Sequence, residues 1–389
     1  MMRTVGVVTG ARSDYGIYRP ILRRIQQDSD LDLHLIVTGM HLAPQFGFTV
    51  KAIEEDGFEI GDRIEMLLMS DTPESLAKSL GLGVIGFAQS YSRFRPDILL
   101  VLGDRLEMLA AVAASLTFNI PVAHIHGGES TEGAIDDSIR HAITKMSHLH
   151  FASTDTYARR IIQMGEEPWR VAVSGAPSLD NLSEIRLLSP QELKEQHGLR
   201  LHDCTLLVTY HPVALEYEET EAQMGELLAA LELTDCAIIF TYPNSDTQNH
   251  IIINKIHEFA HQHKERCQVV VNLGTQSYFS LMSHAKAMVG NSSAGIIEAA
   301  SFRLPVVNIG NRQAGRLHGK NVINVGYTRE EILPAIRQAI SPEFKAGLAD
   351  LTNRYGDGYA SQRIVNTLKQ VPLDEKLLRK RFHVSVMQT

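Results

Sequence analysis

Short β-branched runs alternate with longer helical patterns along the chain, and most of the runs are continuously apolar. Strands covered by helices on both faces of a parallel sheet read this way. The runs are Val5–Thr9, Leu33–Val37, Ile98–Leu102, Val122–His126, His150–Ala152 and Val171–Ser174, then Leu206–Thr209, Ile238–Tyr242, Val269–Asn272, Ala287–Val289, Val306–Ile309 and Val322–Val325. Helical patterns lie between them at Glu74–Arg93, Leu106–Phe118, Asp137–Ser147, Glu218–Leu231, Thr247–Lys264, Gly295–Ser301 and Arg329–Ile340. This alternation predicts a doubly wound α/β architecture. The polar stretch Ser178–Asp203 has no strand-like run and six strand candidates on each side, so it marks a boundary between two similar domains facing a cleft. The 389 residues agree with that division, at roughly 100–200 residues per domain.

Composition narrows the function. The 44% hydrophobic content excludes disorder for most of the chain. A net charge of −8 argues against general binding to nucleic acid or anionic membrane, yet leaves room for one basic pocket. The three cysteines are far apart and lack metal-ligand spacing, which predicts a reduced, cytoplasmic chain. The opening MMRTVGVVTG is too short for a signal peptide or membrane span. None of the 17 histidines falls in a closed zinc signature, so no metal is predicted.

Ligands of doubly wound sheets sit beyond the carboxyl ends of the strands. The first strand ends in Gly10-Ala11-Arg12-Ser13-Asp14, where Ser13 or Asp14 can cap a helix and Arg12 suits a phosphate. Gly103-Asp104-Arg105 follows a buried strand. Asp104 reads either as a helix N-cap or as an acid–base group. The densest segment is His124-Ile125-His126-Gly127-Gly128-Glu129. Its two histidines, at i and i+2 of a strand, are predicted to share a face. On the next helix, Asp136 and Arg140 are four apart, as are Asp137 and His141. In the second half, strands end in His211-Pro212 and Tyr242-Pro243-Asn244. Gly290-Asn291-Ser292-Ser293 opens a helix as an anion cradle. Glu298, further along, suits a ribose, and Arg312 and Arg316 follow another strand. There is no GxxxxGK[ST] and no GxGxxG.

Together TGARSDYG, TGMH, VLGDR, HIHGGE, DDSIRHAITK, TYHP, GNSSAGIIE and NIGNRQAGR resemble the hydrolysing UDP-N-acetylglucosamine 2-epimerases of sialic-acid and related nonulosonic-acid biosynthesis. The resemblance implies a GT-B-like fold of two Rossmann-like domains. These would be 1–185 for sugar and catalysis and 186–357 for UDP, with a C-terminal helical stretch 358–389 packing back on the first. It implies anti-elimination of UDP through a 2-acetamidoglucal, then hydration to N-acetylmannosamine, with no cofactor. A UDP- or GDP-linked 2,4-diacetamido or 6-deoxy sugar is the alternative substrate. A GT-B glycosyltransferase and a non-catalytic sugar-nucleotide sensor share the nucleotide half. By the resemblance Asp104 and Asp136 are catalytic. His41, Arg140 and His141 line the sugar pocket. Arg12, Arg105, His211, Asn244, Asn291, Ser292, Ser293, Glu298 and Arg312 hold the nucleotide. Many relatives carry Glu where this chain has His126. That position therefore assigns a proton to an imidazole, with Glu129 or Asp136 as the alternative. The family also implies a homodimer or homotetramer.

Overall fold

The computed structural model describes residues 2–70, 72–130, 135–243, 248–271 and 273–384. The chain forms two compact units. Unit 1 comprises Met1–Glu129, Asp136–Asn181 and Tyr355–Thr389, and unit 2 comprises Ser130–Ile135 and Leu182–Arg354.

Unit 1 holds seven parallel strands: β1 (Arg3–Thr9), β2 (Leu31–Thr38), β3 (Ile60–Ile64), β4 (Ile98–Leu102), β5 (Val122–Ile125), β6 (Leu149–Ala152) and β7 (Val171–Val173). Their order is β3-β2-β1-β4-β5-β6-β7. The winding reverses between β1 and β4, the position where a doubly wound sheet opens a crevice beyond its strand ends. β4 and β5 are buried at every residue, which accounts for their unbroken apolar sequence. One face is covered by the helices Arg12–Gln27 and Ala360–Gln370. The other is covered by the packed pair Pro73–Arg93 and Leu106–Thr117. In the helix Pro73–Arg93, Phe87 and Tyr91 are buried while Leu82 and Ile85 stay exposed.

β3 is an addition to the six predicted strands. It is an edge strand whose Gly61 and Arg63 are exposed, so it presents no apolar run. The boundary stretch also holds a helix, Pro190–His197, closed by a Ser189–Glu192 capping box.

Unit 2 holds six parallel strands: β8 (Thr205–Thr209), β9 (Ala237–Thr241), β10 (Cys267–Val270), β11 (Ala287–Gly290), β12 (Val306–Ile309) and β13 (Val322–Val325). Their order is β10-β9-β8-β11-β12-β13, with the reversal between β8 and β11. Its core joins Leu206, Val208, Ile238, Phe240 and Val289 to Leu227, Leu231, Ile252 and Ile336.

The reduced reading of the cysteines does not hold. Cys204 and Cys236 form a disulfide with Cα atoms 4.8 Å apart. The two residues directly precede β8 and β9, and Thr205 pairs with Ala237. Strand register therefore places side by side two cysteines that are 32 positions apart. Cys267 is free and buried. Among the described residues no helix is long and apolar enough to cross a membrane.

Candidate functional site

In unit 1 the predicted residues follow the ends of β1, β2, β4 and β5. The helix after β1 begins at Arg12 and has Ala11 at its N-cap, with no side-chain cap. Asp14 lies in the first turn, where its Oδ2 accepts from the Gly10 N–H at 3.3 Å. Neither Ser13 nor Asp14 is the cap itself, because the backbone is already helical at both. Burial raises the Asp14 carboxyl to about 6, although Arg105 opposes the shift.

His41 is fully buried after β2. Its Nε2 lies 3.0 Å from Thr9 Oγ1, and its Nδ1 lies 2.8 Å from Thr49 Oγ1. Burial, with Arg105 nearby, pulls its pKa down to about 4. The ring is a neutral brace between two loops, and both of its nitrogens are engaged inside the protein.

Asp104 ion-pairs with Arg140. It does not cap the following helix, whose N-cap is Arg105. Arg140 is 1% exposed. Its Nη1 donates to the Glu129 carbonyl at 3.1 Å and to Asp137 Oδ1 at 3.3 Å. One buried guanidinium thus ties the end of β4 to the loop after β5. Burying it is tolerable because each partner offers oxygen. Asp137 is a partner of Arg140 on the same helix. His141 Nε2 lies 3.4 Å from Asp137 Oδ2, and burial lowers the His141 pKa. Asp136 sits in the first turn of the helix Ile135–Met146.

His124 and His126 do not act as a pair on one face. β5 ends at Ile125, and His126 turns to a φ of +64°. His124 is buried, with Nε2 2.7 Å from the Gly103 carbonyl and a pKa pushed down to about 3 by burial. It is a structural histidine. His126 instead donates from Nδ1 to Glu129 Oε1 at 2.6 Å. The same oxygen accepts from Ser153 Oγ at 2.7 Å. Ser153 is a functional residue absent from the sequence reading, and its signal is a polar side chain directly after β6. A positive φ at a non-glycine residue stores strain and is concentrated at functional sites.

In unit 2, Asn291 is 1% exposed. Its Oδ1 accepts from the His211 N–H at 2.7 Å, and its Nδ2 donates to the His211 carbonyl at 2.9 Å. That amide thus ties the start of the loop after β11 to the end of β8. The Asn291 carbonyl accepts from Arg312 Nη1 at 3.2 Å and Gln313 Nε2 at 2.8 Å. Ser292 caps the short helix Ser293–Ile297, accepting from the Ala294 N–H at 3.3 Å. Its hydroxyl and that of Thr209 also hydrogen-bond the Tyr278 hydroxyl, which burial raises to about 12. Tyr278 carried no strand-end signal in the sequence. Glu298 directly follows the helix and is buried. The predicted Gly295–Ser301 helix is therefore broken at Glu298 into an α turn and a 3-10 turn. Asn244 lies outside the described residues. Among the described residues no group of three or more His, Cys, Asp or Glu side chains is arranged to hold a metal ion.

Comparison with known proteins places this geometry. The family model described as UDP-N-acetylglucosamine 2-epimerase matches residues 23–369. The chain is 39% identical over 381 residues to the UDP-N,N'-diacetylbacillosamine 2-epimerase (hydrolyzing) of Legionella pneumophila, covering 98% of this chain and 99% of that one. It is equally 39% identical over 383 residues to the GDP/UDP-N,N'-diacetylbacillosamine 2-epimerase (hydrolyzing) of Campylobacter jejuni, covering 98% of each. The solved UDP-GlcNAc 2-epimerase of Neisseria meningitidis, bound to UDP-GlcNAc, superposes with a TM-score of 0.81 at 19% identity, over 94% of this chain and 99% of that one. The two parallel sheets are GT-B-like, and the chain belongs to the UDP-N-acetylglucosamine 2-epimerase family.

Proposed function

We propose that the chain is a hydrolysing 2-epimerase whose substrate is a UDP-linked 2,4-diacetamido sugar of the N,N'-diacetylbacillosamine type. The observation that carries the reaction is the Ser153–Glu129–His126 chain beside the Arg140–Asp104 pair. A base removes the proton at C2 of the sugar, and UDP departs from C1 on the opposite face, leaving a 2-acetamidoglucal. Water then adds to C1, and a proton is delivered to the other face of C2. The products are UDP and the free C2-epimeric sugar.

The groups divide this work. Glu129 holds His126 Nδ1–H and so directs the second nitrogen, Nε2, to exchange protons with the sugar. Ser153 fixes Glu129 in turn. Asp104, ion-paired with buried Arg140, is the second proton-handling group, together with Asp136 on the helix Ile135–Met146. Arg12 and Arg105 are assigned to the leaving diphosphate, whose charge their guanidinium groups offset, and His211, Ser292, Ser293 and Arg312 to the nucleotide. Asn244 and Glu298 are assigned to the nucleoside, and His141 to the sugar. His41 and Asn291 serve as braces for these groups.

Two relatives at 39% identity, both named for diacetylbacillosamine nucleotides, support the choice of sugar. UDP-N-acetylglucosamine is the second reading, favoured by the family description and the Neisseria structure. The test is NMR in deuterium oxide with each nucleotide sugar in turn. Release of UDP with a C2-deuterated, epimerised sugar is expected, with kcat/KM higher for the diacetamido substrate. Release of sugar without C2 exchange would sink the mechanism. Higher kcat/KM for UDP-N-acetylglucosamine would reverse the substrate assignment. His126→Gln should cost about 10²–10⁴-fold in kcat and leave UDP affinity unchanged.

A further inference from the structure

We propose that Glu107 is a positioning residue, whose carboxylate fixes the Arg105 guanidinium so that Arg105 meets the substrate diphosphate in one orientation. The proposal rests on the reading of Arg105 as a diphosphate ligand.

Glu107 is 2% exposed, and its Oε2 accepts from Arg105 Nε at 3.2 Å while its Oε1 accepts from Nη2 at 3.0 Å. This is a two-point fork, which fixes the plane of the guanidinium as well as its place. About a third of the Arg105 side chain, 31%, remains exposed beyond it. The Asp14 carboxylate lies 3.7 Å from Arg105 Nε.

The loops after β1 and β2 leave the carboxylate a place, and Gly10 is the clearer sign of it. Gly10 is the residue after β1, and its φ is not in the left-handed region. Its backbone would accept any side chain, but a Cβ there would lie 3.1 Å from Glu107 Cγ and Cδ. Gly39 is the residue after β2, and a Cβ on it would stand 2.9 Å from Glu107 Cγ. The loops after β1 and β2 therefore close on one acid side chain carried by the helix after β4. Those loops carry Arg12 and His41, and the β4 turn carries Asp104 and Arg105.

A simpler account is that Glu107 is an acid in the first turn of the helix Leu106–Thr117, where the helix dipole favours negative charge. That account does not require burial, since an exposed acid gains the same interaction. It also leaves the bidentate pairing and Gly10 unexplained, whereas Gly39, at a φ of +59°, is favoured by its backbone as well. Burying a carboxylate is costly unless it is paired, and here the pairing partner is a proposed ligand-binding arginine.

The test is a double-mutant cycle read as UDP affinity by calorimetry on the full chain, which reports Kd independently of the active fraction. Arg105→Ala and Glu107→Gln are each expected to weaken UDP binding about tenfold, near 1.4 kcal/mol. Glu107→Gln added to Arg105→Ala should change Kd less than twofold, because the acid acts only through the arginine. Where Glu107→Gln does not fold, Glu107→Asp is used: it keeps the charge but withdraws the carboxylate by one methylene. Parental UDP affinity in the Glu107 variants, with Arg105→Ala weakened, overturns the positioning role and leaves the Arg105 assignment standing. Effects that multiply in the double variant also overturn it. Parental affinity in Arg105→Ala overturns the Arg105 assignment and the proposal together.

Discussion

Asp14 makes its charge state a stability variable. Its carboxyl rises from an ordinary 3.8 to about 6, chiefly because burial penalises the anion. A folded value above the unfolded one means the native state holds the proton more tightly. Stability is then full below pH 3.8 and falls as pH climbs through about 6, by roughly 3 kcal/mol for this residue. Asp14→Asn carries no such charge. Denaturant unfolding of both proteins at pH 4 and pH 7 should show the variant gaining on the parent as pH rises. A constant difference between them would contradict the assignment. Other residues of unit 1 were partly legible in the sequence. Asp104, His126, Glu129 and Arg140 stand out because ionisable groups cluster at strand ends. The bracing roles of His41 and Asn291 were not legible. A position at a strand end says nothing of which neighbouring loop consumes a side chain's polar atoms. Glu107 was hidden for the opposite reason, as one acid inside an apolar helical run.

At the scale of elements, interior strands could be read from the sequence and edges could not. β3 pairs through its backbone, so its side chains need not be apolar, and no periodicity marks it. The cysteine pairing depends on the register of β8 against β9, which only the assembled sheet defines. A second tertiary device lies at the amino ends of the unit 1 strands. Glu166 is buried and accepts from Lys145 Nζ at 2.6 Å and His150 Nε2 at 3.0 Å, and it ion-pairs with Lys380 Nζ at 2.8 Å. Burial alone would raise its pKa, but these partners outweigh burial and hold it near 2. The folded value lies below the ordinary 4.5, so this stability is present above pH 4.5 and is lost as pH falls toward 2. Glu166→Gln should cost about 3–5 kcal/mol at pH 7, because it leaves charged partners uncompensated. It should also speed tryptic cleavage near Lys376–Arg381, the segment that Lys380 anchors to the Lys145 and Ser147 carbonyls. Unchanged stability and cleavage would show that the cluster does not anchor the chain end.

At the scale of the whole molecule, unit 1 is discontinuous. The helix Ala360–Gln370 packs on Arg12–Gln27, with Arg24 Nε donating to Ser361 Oγ at 2.8 Å. Buried Asp180 accepts from the Ala360 and Ser361 N–H groups and so caps that helix. Ile364, Val365, Leu368 and Leu377 belong to the same core as β1 and β2. At about 1.5–3 kcal/mol for each buried aliphatic side chain, they supply roughly 6–12 kcal/mol, comparable to the net stability of a domain. A chain ending at Arg354 should therefore lose unit 1 protection in hydrogen exchange, with β8–β13 still protected. Protection of β1 and β4 in that truncation would show that the returning helix is dispensable. The alternation of strand and helix made both sheets legible, but it could not show that the helix Ala360–Gln370 serves the first sheet.

That return has a consequence for synthesis. Unit 2's six strands and core all lie within Leu182–Arg354, so they leave the ribosome together. Unit 1 begins to emerge first but waits for Leu377 before its core can close. Throughout the elongation of residues 182–377, the part of Arg12–Gln27 that packs against Ala360–Gln370 lacks its cover. In that interval it is open to chaperones and to other nascent chains.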